Sequence, residues 1–140
     1  MFIISTRNFP PEVGGMQNLM GGLANALLNH GPVKVFADKS ESFENYDKLS
    51  KVEIERFGGI KLLRKYRKAN QITEHIKDNQ NIRSIFFDHW KSVEKINFET
   101  IKNIPTFCLI HSKEINHSKN SRLNKRVLDS VDKVRHVIAN

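Results

Sequence analysis

In this 140-residue chain the stretch Phe2–Gly31, FIISTRNFPPEVGGMQNLMGGLANALLNHG, holds the residues whose types and spacing point most directly to chemistry. An apolar run gives way to a loop with Pro10, Pro11, Gly14 and Gly15. The loop passes straight into Met16, Leu19, Met20, Leu23 and Leu27, spaced by three and four, the stripe of an amphipathic helix. A helix start presents unpaired N–H groups and the positive end of its dipole. Gly14 and Gly15 have no Cβ, so an anion can come close to their amides. Pro10 and Pro11 fix φ and stiffen the approach. The expected chemistry is acceptance of a phosphate by the backbone. The competing reading is a plain tight turn. No Gly-Lys-Ser/Thr follows, so this is not a Walker A loop, and the glycine spacing is not that of a dinucleotide fingerprint.

Polar groups at the ends of later apolar runs are the next candidates. His111 ends Thr106–His111, with Glu114 three residues on; either suits a hydroxyl, and His111 is the candidate general catalyst. An exposed polar loop side chain is the competing reading for both. His89 and Trp90 follow Ser84–Asp88, where an indole either stacks on a sugar face or packs in the core. The six histidines (30, 75, 89, 111, 117 and 136) show no ligand spacing, so no metal site is expected. The single cysteine, Cys108, sits within an apolar run and reads as a buried small hydrophobe. One cysteine cannot form an internal disulfide, which favours a reducing, cytoplasmic compartment.

These residues need a frame to hold them. Short runs rich in Phe, Ile and Val at Phe2–Ser5, Val33–Ala37, Val52–Phe57, Ser84–Asp88, Thr106–His111 and His136–Ala139 suit strands covered on both faces. Helical patterns lie between them: one ending at Gly31-Pro32, one over Lys61–Asp78 with Leu62, Tyr66, Ala69, Ile72 and Ile76 inward, one over Val93–Asn103. A last runs over Asn120–Lys133 with Leu123, Val127, Leu128 and Val131 inward. Residues 38–50 read as a loop. The alternation predicts an α/β, Rossmann-like doubly wound, mainly parallel sheet with helices on both faces, in one domain over 1–140. No apolar run approaches the roughly 18–20 residues of a spanning helix.

The net charge of +8 is uneven: residues 1–60 sum to −1 and residues 61–140 to +9. Lys61, Arg64, Lys65 and Lys68 fall on one face of the second helix, a basic patch that suits an anionic surface or a solvated face. Nucleic acid is not expected, because no aromatics interleave with this patch.

Phe9-Pro10-Pro11, Gly14-Gly15, Leu23-Ala24, Leu27 and Gly31 ahead of Val33-Lys34-Val35 resemble the N-terminus of family 4 glycosyltransferases, two-domain enzymes of GT-B architecture. Gln17 stands where the family often has glutamate. Phe86–Trp90, Ile104–His111 with Glu114, and Val137–Asn140 resemble later landmarks of the same domain. The resemblance implies a nucleotide-diphosphate sugar as co-substrate, no other cofactor, and a glycan or lipid-linked acceptor, as in cell-envelope polysaccharide or lipopolysaccharide synthesis. Gly14 and Gly15 would meet the donor phosphates, Gln17, His89 and Glu114 the acceptor or sugar, and the basic patch the inner face of the membrane. The family's C-terminal donor-binding domain carries two glutamates eight positions apart, a separation no pair of glutamates has here. The chain is therefore expected to be an acceptor-side domain, inactive alone or completed by a separate donor-domain chain. The alternative is a non-catalytic module for membranes or polyanions.

Overall fold

A computed structural model of the chain describes residues 1–111 and 117–139. In chain order the elements are β1 (Phe2–Ser5), α1 (Gly15–Leu28), β2 (Val33–Asp38), α2 (Phe43–Leu49), β3 (Glu53–Phe57) and α3 (Lys61–Asp78). They continue as β4 (Ser84–Phe87), α4 (Trp90–Val93), α5 (Phe98–Ile101), β5 (Thr106–Ile110), α6 (Arg122–Val131) and β6 (His136–Ala139). The six strands form one parallel sheet in the order β3-β2-β1-β4-β5-β6. The order reverses between β1 and β4, which opens a crevice at their carboxyl ends.

The alternation of side chains along β1 explains the two layers. Phe2 and Ile4 face α1, in a core with Met20, Ala24, Val33, Val35 and Leu109. Ile3 faces the other way, in a core with Ala69 and Ile72 of α3 and with Val93, Ile96 and Ile101. Ile3 and Ile4 are fully buried, each contributing about 1.5–3 kcal/mol. Such a strand has no polar face, which is why it reads as a continuous apolar run.

Three expectations differ from the structure. Residues 38–50 include the helix α2, which buries none of its residues and therefore carries no apolar stripe. Tyr46 packs edge-on to Phe9 at 6.3 Å and Asp47 pairs with Arg56 at 2.7 Å; these contacts, remote in sequence, hold it. The helix expected over Val93–Asn103 is two short turns, because the Asn97 side chain accepts from Glu99 N–H and starts a new one. On α3, Ala69 and Ile72 are buried as expected, but Leu62 and Tyr66 are largely exposed and Lys68 is buried. Lys68 Nζ reaches Thr6 O, just past the end of β1, so the two turns before it project beyond the sheet and have no strand to cover them. At the edge opposite β3, β6 pairs with β5 alone among the described residues, and all four of its residues are exposed.

Candidate functional site

The crevice between β1 and β4 is braced by Asp88, which follows β4 and is 2% exposed. Its carboxylate accepts from the Thr6 hydroxyl (2.8 Å), the Arg7 amide (2.7 Å) and the Ser92 hydroxyl (2.6 Å). A second brace spans β2 and α3: Asp38 receives Lys68 Nζ at 2.8 Å and Arg64 Nη1 at 3.1 Å.

On the α1 side the rim is made of backbone. Gly14 is extended and caps α1 without any side-chain hydrogen bond, and no acid occupies the first turn. A Cβ at Gly15 would meet open space, whereas one at Gly14 would collide with Gln17 Oε1. The Gln17 side chain thus lies over Gly14, within the loop's own fabric. The loop is anchored by Phe9, 2% exposed in the α1-side core, and by Arg56, whose guanidinium donates to Pro10 O and to Asp47. The Pro10–Pro11 bond is cis.

His89 and His111 follow the adjacent strands β4 and β5, and both lie within electrostatic reach of each other. Burial first, then the charges of Lys91, Arg7 and His111, lower the His89 pKa from 6.5 to about 4. Its ring is therefore neutral near pH 7. Nδ1 accepts from Lys91 N–H at 2.9 Å, which places the ring proton on Nε2 and makes that nitrogen a donor. Trp90 is buried, with Lys91 and Arg126 over its ring at 5.2 and 5.4 Å, so it packs in the core and offers no open face. Glu114 lies outside the described residues.

On the α3 side the rim is made of side chains around a cavity of about 400 Å³. Ser5 and Arg7 come from the end of β1 and its loop, Lys61, Leu62, Lys65 and Lys68 from α3, and Lys91, Glu94 and Lys95 from the segment after β4. Glu94 binds Lys65 at 3.1 Å and Arg126 at 2.8 Å. Burial alone would raise the Glu94 pKa; the hydrogen bonds from Arg126 and Lys65 outweigh it and hold the carboxylate below its ordinary value. The four patch residues thus separate. Lys61 is exposed, Arg64 and Lys65 are paired, and Lys68, 4% exposed, is part of the core and not of an outward face. Its charge is drawn inward by Asp38 and Thr6 O. The roles of Asp88 and Arg56 are not legible locally, because their hydrogen-bond partners lie up to 82 positions away. Among the described residues, no three or more His, Cys, Asp or Glu side chains gather to hold a metal ion. Nor is any described helix long and apolar enough to cross a membrane.

Comparison with solved structures finds the same fold in proteins of low sequence identity. The chain is similar to apo UGT2 of Phytolacca americana (TM-score 0.63, 9% identity), covering 99% of this chain and 45% of that one. It is likewise similar to the same enzyme complexed with UDP-2fluoro-glucose and pterostilbene (TM-score 0.61, 9% identity, 99% and 47% covered). A third is LpCGTa in complex with UDP (TM-score 0.60, 12% identity, 99% and 46% covered). The chain spans about half the length of these proteins. No family model matches the sequence, and no curated protein matches it.

Proposed function

We propose that the chain is the acceptor-side domain of a glycosyltransferase, of the family 4 kind, working with a donor-binding domain of the same or another chain. One observation carries this reading: a Gly-Gly helix start and a polar crevice share the carboxyl rim of a parallel sheet whose topology follows GT-B halves over 99% of the chain. Uncapped amides at Gly15 would receive the charge that develops on a departing nucleoside diphosphate, a stabilisation that needs no metal. His111, after β5, is the group proposed to take the acceptor's proton. Neutral His89 would donate Nε2–H to a hydroxyl, and Gln17 would set the loop over which the donor lies.

The experiment is to recover the tagged chain from its native host with whatever donor-domain protein accompanies it, then assay transfer from labelled nucleotide sugars. Transfer that depends on the chain and falls at least tenfold with Gly15→Asp supports the reading. Transfer indifferent to Gly15→Asp overturns the role of the junction, and no transfer with any donor overturns the enzyme reading.

A second reading rests on α3. Ile60, Leu62, Leu63 and Tyr66 are 70, 59, 56 and 45% exposed, and Lys61 and Arg67 stand among them. We propose that this projecting end rests on the inner face of an anionic membrane, apolar residues in the headgroup layer and lysines against phosphates. Flotation with anionic liposomes should fall with salt and with Leu62→Asp; absence of flotation at low salt overturns it.

A further inference from the structure

The cavity on the α3 side has a charge balance that its own structure does not satisfy. Seven basic side chains and two carboxylates line it. Each carboxylate is already spanned by two cations, Asp38 by Arg64 and Lys68, Glu94 by Lys65 and Arg126. Arg7, Lys61 and Lys95 have no acidic partner among the described residues, and they come from three separate elements. A fully buried group adds to this. Ser5 alternates with Ile4 along β1 and so points to the α3 side; its hydroxyl is 0% exposed as a residue and has no hydrogen-bond partner among the described residues. A buried hydroxyl without a partner is costly and calls for an acceptor. Leu62, Ala69 and Ile72 supply an apolar wall to the same cavity.

We infer that this cavity is an acceptor subsite for a phosphate ester, with Arg7, Lys61 and Lys95 on the phosphate oxygens and the Ser5 hydroxyl beneath them. The inference rests on the acceptor-side reading above and names the substrate class of that site. A phosphomonoester carries about −1.5 to −2 charges at pH 7 and three acceptor oxygens, which suits three cations lining one cavity better than the single charge and two oxygens of a carboxylate. A volume of about 400 Å³ holds the phosphate together with a ring or the start of a chain against the apolar wall.

Isothermal titration of the full chain with phenyl phosphate tests this, with benzoate as the carboxylate control. Phenyl phosphate should bind more tightly than benzoate, and the double variant Lys61→Gln/Lys95→Gln should weaken it about tenfold or more. Ser5→Ala should weaken it by a smaller factor. Lys48→Gln/Lys51→Gln, which removes equal charge from the far edge, should leave it unchanged. Equal affinity for benzoate, or equal weakening by the far-edge pair, reduces the effect to bulk charge and overturns the subsite. Loss with Gly15→Asp but not with Lys61→Gln/Lys95→Gln moves the anion to α1 and also overturns it. Vesicles containing phosphatidic acid that displace phenyl phosphate place the ester on a lipid; vesicles that fail to displace it place the ester on a soluble molecule. Phenyl phosphate binding without sugar transfer keeps the subsite and removes the transferase reading. Transfer without phenyl phosphate binding does the reverse.

Discussion

The two sides of the carboxyl rim present positive charge by different means. On the α1 side the means are backbone amides, released by two glycines and held by a loop that Phe9 and Arg56 pin down. On the α3 side they are long cationic side chains, held in place by Asp38 and Glu94. Amides are fixed in direction and carry only partial charge; lysines carry full charge and adapt. The two anion sites proposed above would therefore differ in kind, one set by geometry and the other by charge.

The contrast depends on the two sides being braced independently through β4 and β2, and the largest effects should appear there. Asp88→Ala strands the Arg7 amide and the Ser92 hydroxyl and leaves the Thr6 hydroxyl with Asn8 O alone, so it should cost about 3–4 kcal/mol in urea unfolding. A loss below about 1 kcal/mol would mean that the crevice is not held through β4. Lys68→Ala leaves Thr6 O without its donor and Asp38 with Arg64 alone; about 2–3 kcal/mol should be lost, confined to the α3 side. Amide exchange in α1 that accelerates as much as in α3 would contradict this independence.

Two neighbouring glycines sharpen the picture of the backbone side. A Cβ at Gly21 would lie 2.9 Å from Pro10 Cγ, so Gly21→Ala should destabilise by about 1–2 kcal/mol and loosen the loop. Gly22 has open space and a helical backbone, so Gly22→Ala should stabilise by up to about 1 kcal/mol. Equal signs in thermal unfolding would show that the loop does not rest on α1.

The smallest effect is set by pH. His89 takes its proton at about 4 when folded and at its ordinary 6.5 when unfolded. Between those values the unfolded chain binds more protons, so stability is full above about 6.5 and declines as pH falls toward 4. Allowing for solvent screening of a partly exposed ring, the decline is on the order of 1 kcal/mol. His89→Gln should flatten it; an unchanged slope would assign the dependence to other groups.

What the sequence reveals follows the same division. The β1–loop–α1 junction is consecutive in the chain, so its glycines, prolines and apolar stripe declare it. β1 is equally plain, since burial on both faces leaves an unbroken apolar run; β6, exposed throughout, is legible from its β-branched residues alone, and both begin and end where the pattern says. Lys68 misleads because helical periodicity reports which residues share a face, not what faces them. Here the face with four basic residues turns partly toward Asp38 and Glu94. Tyr66 and Leu62 mislead for the complementary reason: an inward stripe needs a sheet beneath it, and α3 overshoots the strand ends. Arg56 carries no local mark, and Asp88 is marked only as the polar end of an apolar run. Their meaning lies in Thr6 and Pro10, brought to them only by the strand order. The resemblance to family 4 enzymes divides in the same way: the parallel α/β sheet it implies is the sheet found, while nothing in the fold singles out family 4.

The exposed strand β6 bears on how the protein behaves in solution. Among the described residues it is paired on one side, with Val137 and Ile138 nearly half exposed, and there it presents a row of backbone donors and acceptors to any strand that drifts alongside. Charge is the main guard: Arg135 stands immediately ahead of it, and a net +8 keeps copies apart at low ionic strength. Salt removes that guard while strengthening apolar association. Concentrated, high-salt preparations should therefore drift toward edge-to-edge assemblies, and the colloidal lifetime of the protein is set at its periphery while its core stays intact.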